Sequence, residues 1–284
     1  MKVKIVFYSL FLYAALFSII GINTSCSSRV DSESFHYGTE NDSARSYYMK
    51  GFQEILDHGR WTESEKAYRK AIEIDPNYTL GKSLVGRITR DVVERENLLE
   101  EVREARASES NDVGLLLDVY LLSMESYNNR DKGIKSTPAF HANRKKLAES
   151  NFRKFIHKYP DDNYVKAEYI EWLNAIHGPE VALDSMRVLA TEEQMKLGFY
   201  ISYAASLEIA VGNIDKAIAH SKALKKLMKD STYTSYLKLK AEILMAQDSF
   251  YKAKQYIDRV VDIDPNHIIA LGMQSQINNK LADE

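Results

Sequence analysis

This chain of 284 residues is poor in the residues that would make it anything but helical and reduced. It has 1 Cys, 5 Pro and 12 Gly. A single cysteine excludes an intramolecular disulfide, so covalent staples play no part in the fold. So little Pro and Gly argues against a loop-rich or all-β chain, which would need turn residues every 8–12 positions. No sign of charge dominates, because 38 Lys+Arg stand against 40 Asp+Glu for a formal net charge of −2. That balance does not favour nucleic-acid binding, which rests on a dominant positive surface. There is no Gly-rich phosphate loop, no H-E-x-x-H and no G-x-S-x-G. The seven histidines, at 36, 58, 141, 157, 177, 220 and 267, never fall at metal-ligand spacing. Paired carboxylates such as Glu100-Glu101 and Asp161-Asp162 lie in charged helix or turn contexts, where solvated faces account for them. The reading is a protein that is not an enzyme and needs no cofactor or metal.

Long apolar runs are also scarce, with one exception. Lys2 and Lys4 precede a nearly continuous uncharged stretch from Ile5 to Ile22, followed by Asn23-Thr24-Ser25-Cys26. A basic start, an apolar core and small residues before a cut site describe a secretory leader over residues 1–25. The stretch is also just long enough for a retained anchor. The anchor reading leaves unexplained why the sole cysteine sits at this spot. The Ser25-Cys26 junction resembles bacterial lipoproteins, whose signal ends on a small residue before an invariant cysteine. The resemblance implies that Cys26 is lipidated and becomes the new N-terminus. Two or more acyl chains hold a protein firmly on a bilayer. Loss of the leader's two lysines shifts the formal charge from −2 to −4. Residues 26–44 are rich in Ser, Asp, Glu and Asn and read as the lipidated cysteine and a flexible tether. Ser27 beside the cysteine resembles lipoproteins sorted to the outer membrane of Gram-negative bacteria. The resemblance implies a location in the cell envelope, on the outer membrane, facing the periplasm or the cell surface.

From Arg45 onward, small and aromatic residues recur at helical spacing. Ala71-Ile72-Glu73-Ile74-Asp75-Pro76-Asn77 returns as Val260-Val261-Asp262-Ile263-Asp264-Pro265-Asn266. Each copy closes a helical pattern, which Pro ends because its ring clashes and it has no N–H. In the unit 45–78, Tyr48, Phe52 and Ile55 form one stripe, Gly59 permits a turn, and Trp61, Ser64, Tyr68 and Ala71 form a second. In the unit 234–267 the matching residues are Leu237, Ala241 and Leu244, then Phe250, Ala253, Ile257 and Val260, with Asp248 in place of the turn glycine. Asp tolerates the left-handed conformation better than most residues. Fainter copies occupy 163–196 and 198–231. The segment 80–108 reads as a helix pair with its turn near Arg95. A further pair spans 115–159, with a loop at 128–138 between its helices. Residues 268–281 read as a closing helix.

This pattern resembles the tetratricopeptide repeat (TPR), a 34-residue helix–turn–helix unit that buries its apolar face only by stacking on its neighbours. The resemblance implies an all-α fold. The expected form is an α-solenoid of about six TPR-like helix pairs with a C-terminal capping helix over residues 45–284. It also implies that the first helix of each pair lines a concave surface that binds a partner. Those positions are Met49, Gln53, Leu56, Asp57, Tyr164, Glu171, Asn174, Phe199, Ser202, Ser206, Lys238, Glu242 and Met245. Phe199 and Tyr164 are the expected aromatic anchors. Met49 and Gln53 do not supply the Lys/Asn set with which some members of the family clamp a C-terminal carboxylate. The expected role is a lipid-anchored envelope scaffold or adaptor. It would hold a peptide or helix of other envelope proteins in its concave groove, attached to the membrane by its N-terminal lipid. The alternative is an accessory glycan- or nutrient-binding lipoprotein, with Trp61, Trp172 and tyrosines stacking on sugars. Lys222, Lys225, Lys226 and Lys229 share one helix face, which reads as a solvated surface or as a contact for anionic groups.

Overall fold

The computed structural model describes residues 35–283. The leader and Cys26 lie outside the described residues. Within them the chain forms thirteen α-helices and no strand. Six antiparallel pairs follow one another, and each pair packs on the next. They are α1 (Asp42–Phe52) with α2 (Trp61–Ile74), and α3 (Thr79–Ile88) with α4 (Val92–Ala105). Next come α5 (Asn111–Asp131) with α6 (Pro138–Lys158), and α7 (Asn163–His177) with α8 (Pro179–Leu189). The last pairs are α9 (Gly198–Ala210) with α10 (Ile214–Leu227), and α11 (Ser235–Ala246) with α12 (Phe250–Ile263). The single helix α13 (Ile268–Ala282) covers the end. This is the expected α-solenoid of six pairs and a cap.

The first pair shows why these residues fold this way. On α2 the buried residues are Ser64, Ala67, Tyr68 and Ala71, one stripe at helical spacing. Where α1 crosses α2, a Cβ on Gly51 would fall 2.2 Å from the Tyr68 ring, so only glycine fits. Ser64 is fully buried there and donates its hydroxyl to the Gly51 carbonyl at 2.8 Å, which satisfies a polar group in an apolar crossing. Both copies of the repeated heptapeptide end their helix before Asp-Pro, α2 at Ile74 and α12 at Ile263. Asp248 takes the left-handed turn conformation, with φ 53°, that Gly59 adopts in the first pair. The largest core cluster spans α1 to α9 and is rich in aromatic rings. Tyr48 lies at its centre, 5.3 Å from both Phe52 and Tyr78.

Two local readings are corrected. The turn of the second pair lies at Thr89–Asp91 and not near Arg95. Asp91 caps α4 by accepting from the N–H groups of Val93 and Glu94, and Arg95 is a buried helical residue. The expected flexible stretch also ends sooner. Phe35 packs edge-on against Phe155 at 4.8 Å, Tyr37 is buried and donates its hydroxyl to Asp162, and Thr39 donates to Asp75 at 2.5 Å. Asn41 then caps α1. Residues from Phe35 onward therefore belong to the packed body.

Candidate functional site

The first and last repeats of the solenoid meet. The junction is built around the turn that joins α1 to α2. After Phe52 the helix widens into one π turn, Gln53–Asp57, in which the His58 N–H reaches back to the Gln53 carbonyl. Such widening re-aims the side chains that follow. Asp57 consequently points at the start of α9, where its Oδ1 accepts the Phe199 N–H at 2.8 Å and its Oδ2 accepts the Tyr164 hydroxyl at 3.3 Å. The His58 carbonyl accepts the Thr234 and Ser235 N–H groups at the start of α11, at 2.9 and 3.2 Å. Ser235 donates its hydroxyl to the Asp57 carbonyl, and Thr234 donates to the Gly59 carbonyl. The His58 ring stacks on Tyr233 with centroids 3.9 Å apart.

A second joint works in the opposite direction. Asp264, the aspartate of the second heptapeptide, accepts the Trp61 N–H at 2.6 Å and the Thr62 N–H at 3.2 Å with Oδ2. Its Oδ1 accepts the Thr62 hydroxyl. It thereby caps α2, a helix with no capping side chain of its own, from 203 residues away. Two glycines give the joint its close approach. A Cβ on Gly59 would lie 2.7 Å from the Ser235 nitrogen, and a Cβ on Gly198 would lie 2.5 Å from the Asp57 carbonyl oxygen.

Closure leaves the concave side as a partly open cavity of about 740 Å³. Of the expected concave positions, Leu56, Glu171, Phe199, Ser202, Ser206 and Lys238 line it. The others are placed differently. Gln53 is exposed, Met49 packs against the main core and Met245 against the C-terminal one. Asn174 donates to the Tyr203 hydroxyl at 3.0 Å, and Glu242 accepts from both Ser206 and Lys238. The expected aromatic anchors are not free side chains. Phe199 is 4% exposed and Ser202 8%. Tyr164 stacks on Phe52 with centroids 5.5 Å apart. The docked π turn covers them, and that contact joins residues more than a hundred positions apart.

Apart from Trp61, named only for the sugar-binding alternative, sequence reasoning missed the other wall of the cavity. Trp61, Arg87, Arg90, Arg95, Tyr127 and Arg130 come from the first three pairs, and Ile268, Ile269 and Leu271 from α13. The one available signal was the cluster of Arg87, Arg90 and Arg95 around an Asp cap. Arg87 pairs with Glu168 at 2.6 Å and lies over the Tyr120 ring. Lys238 pairs with Glu242 at 2.6 Å. Glu171 lines the cavity as an exposed residue and has no hydrogen-bond or ion-pair partner among the described residues. Desolvation by the neighbouring protein, followed by the nearby Glu168, pushes its carboxyl up to about 7. Burial, with Lys238 close by, holds His267 down to about 4. Burial also raises the Asp57 carboxyl, against the opposing pull of the Phe199 N–H. Among the described residues no group of three or more His, Cys, Asp or Glu is placed to hold a metal ion.

No curated protein matches the chain. The family model described as Tetratricopeptide repeat matches residues 44–78 and 236–267, the first and last helix pairs. Repeats of this kind generally mediate protein–protein interaction and typically carry no catalysis. The chain is thus an all-helical solenoid that carries tetratricopeptide repeats at the two ends that meet.

Proposed function

We propose that this protein is a lipid-anchored, non-catalytic scaffold of the cell envelope that holds a segment of another envelope protein inside its closed array of repeats. The observation that carries the reading is the partly open cavity, flanked by the two matched repeats and lined by side chains of first helices. Its volume lies within the range of roughly 300–1,000 Å³ typical of sites that enclose a ligand. Because the π turn docks on the starts of α9 and α11 and narrows the groove, a short extended segment suits the space better than the helix that an open array would accept. The leader pattern and the lone cysteine at position 26 support anchoring through Cys26, on the outer membrane and facing the periplasm or the cell surface.

A photo-crosslinking residue at Ser206, which lines the cavity, should trap a distinct protein in intact cells. The same residue at Lys226, on the exposed face of α10, should not. Equal or absent trapping at the two positions would refute the reading. Cys26→Ser should release the protein into the soluble fraction, and continued tight membrane retention would argue against lipidation. The sugar-binding alternative keeps one supporting observation, since Trp61 lines the cavity with Tyr127 and Tyr203. Trp172 instead lies beneath the Arg144 guanidinium, 5.1 Å away. Binding of a soluble polysaccharide that is lost on Trp61→Ala would favour that alternative.

A further inference from the structure

The cavity has a charged end and an apolar end, and together they describe what it holds. At the charged end, Arg95 on α4 and Arg130 on α5 share one carboxylate. Arg95 Nη1 donates to Asp131 Oδ2 at 2.6 Å, and Arg130 Nε donates to Asp131 Oδ1 at 2.8 Å. Arg90, in the turn before α4, lines the same end, is exposed, and has no ion pair among the described residues. Arg95, which also donates to the Thr89 carbonyl at 2.6 Å, and Arg130 thus share Asp131, and Arg90 adds a third guanidinium to the lining. Arg95 is 3% exposed, and its Nε has no hydrogen-bond partner among the described residues. A buried donor left unmatched is uncommon in a folded protein. Arg130 also lies over the Tyr127 ring at 5.3 Å. Of the other cations of the cavity, Arg87 is paired with Glu168, although its Nε likewise has no hydrogen-bond partner among the described residues, and Lys238 is paired with Glu242.

The apolar end is made by the start of α13. Ile268 and Ile269 are 39% and 48% exposed, large hydrophobic side chains left in solvent where they line the cavity. Ile88 and Val92, two residues to either side of Arg90, line the same cavity. Arg90 without an ion pair and Arg130 sharing its carboxylate, beside uncovered isoleucines, form a surface complementary to one kind of chain, a carboxylate-bearing residue flanked by apolar ones. Arginine is the suited partner because its planar fork binds carboxylate in a fixed geometry.

We propose that Arg90 and Arg130 bind an acidic side chain of the partner segment, with the buried Arg95 holding Asp131 beneath them, while Ile268, Ile269, Ile88 and Val92 take its hydrophobic neighbours, so that the partner is an acidic-apolar peptide. This rests on the proposed role of the cavity as a peptide site and adds the chemistry of the peptide. Glu171 stands apart from the cationic cluster in sequence and pairing, and its raised carboxyl carries only part of its charge near neutral pH. It therefore opposes an acidic guest less than a fully ionised carboxylate would.

The test uses the full chain and three blocked, fluorescein-labelled pentapeptides, Leu-Glu-Phe-Glu-Leu and its Gln and Lys counterparts, read by fluorescence anisotropy. The Glu peptide should bind about tenfold more tightly than the Gln peptide, the difference expected of one charge-assisted contact. The Lys peptide should bind more weakly than either. Arg90→Glu removes an exposed, unpaired cation and should leave thermal unfolding unchanged. It should abolish the preference for Glu over Gln, whereas Lys226→Glu on the outer face of α10 should preserve it. Failure of the Glu peptide to bind, equal binding of all three, or a preference that survives Arg90→Glu would each overturn the proposal. Successful trapping of a protein from Ser206 alongside equal binding of the three peptides would leave the cavity as a peptide site and remove only the acidic specificity.

Discussion

At the scale of single residues, the molecule is decided by groups that cannot be exchanged. Gly198 is one, since any side chain there meets the Asp57 carbonyl. Gly198→Ala should therefore cost about 1–3 kcal/mol of folding stability in chemical denaturation, the usual penalty for forcing atoms into a packed contact. His267 is another. It is 1% exposed, and its Nδ1 accepts the Ala270 N–H to cap α13. Protonation would turn that acceptor into a donor. Burial depresses its folded value from 6.5 to about 4, so its neutral form stabilises the fold above pH 6.5, and that contribution is lost as pH falls through 4. His267→Asn keeps a capping oxygen and does not titrate. Urea titrations should show the variant gaining about 2 kcal/mol on the parent between pH 7 and pH 4.5. A constant difference across that range would contradict the assignment. Glu171 has the opposite sign. Its folded value is raised from 4.5 to about 7, so its contribution is present below 4.5 and lost as pH rises through 7. Glu171→Gln should stabilise the protein at pH 8 and not at pH 4. Solvent reaches this carboxyl, and screening limits the gain to about 1 kcal/mol.

At the scale of helices, the array exchanges caps between elements distant in sequence. Neither α2 nor α9 carries a capping side chain of its own, and each takes one from across the junction, Asp264 for α2 and Asp57 for α9. Asp264→Ala should lower stability by about 1–2 kcal/mol, and hydrogen exchange should quicken at the start of α2. The helices themselves were largely legible. The duplicated heptapeptide marks the ends of α2 and α12, and the small residues at 64, 71 and 253 mark crossings that are fully buried. The second pair was harder to read. Its apolar spacing resumes only at Leu98, so the Asp91 cap is buried in a run of charged residues. The segment before α1 misled for a related reason. Composition reads residues 35–41 as polar, yet two aromatic rings among them find partners on α6 and in the turn before α7. Local pattern reports what a segment can hide on its own helix face and not what a distant element offers it.

At the scale of the whole array, the sequence foretold a ribbon of paired helices and the structure adds that its first and last repeats join. No periodicity could reveal this, because the contacts span up to 203 residues and rest on a one-turn widening of α1. The joint narrows the groove into a cavity, leaves Phe199 buried and Tyr164 half-buried, the two aromatic side chains expected to bind a partner, and brings Arg90 and Arg130 of the early repeats within one space with the exposed isoleucines of α13. The most direct test is amide hydrogen exchange at single-residue resolution for Trp61, Thr62, Phe199 and Ser235. These are first-turn amides, which have no partner inside their own helices and exchange rapidly in an open array. Closure predicts that all four are strongly protected, and that Asp264→Ala releases Trp61 and Thr62. Rapid exchange at all four in the parent protein would contradict it.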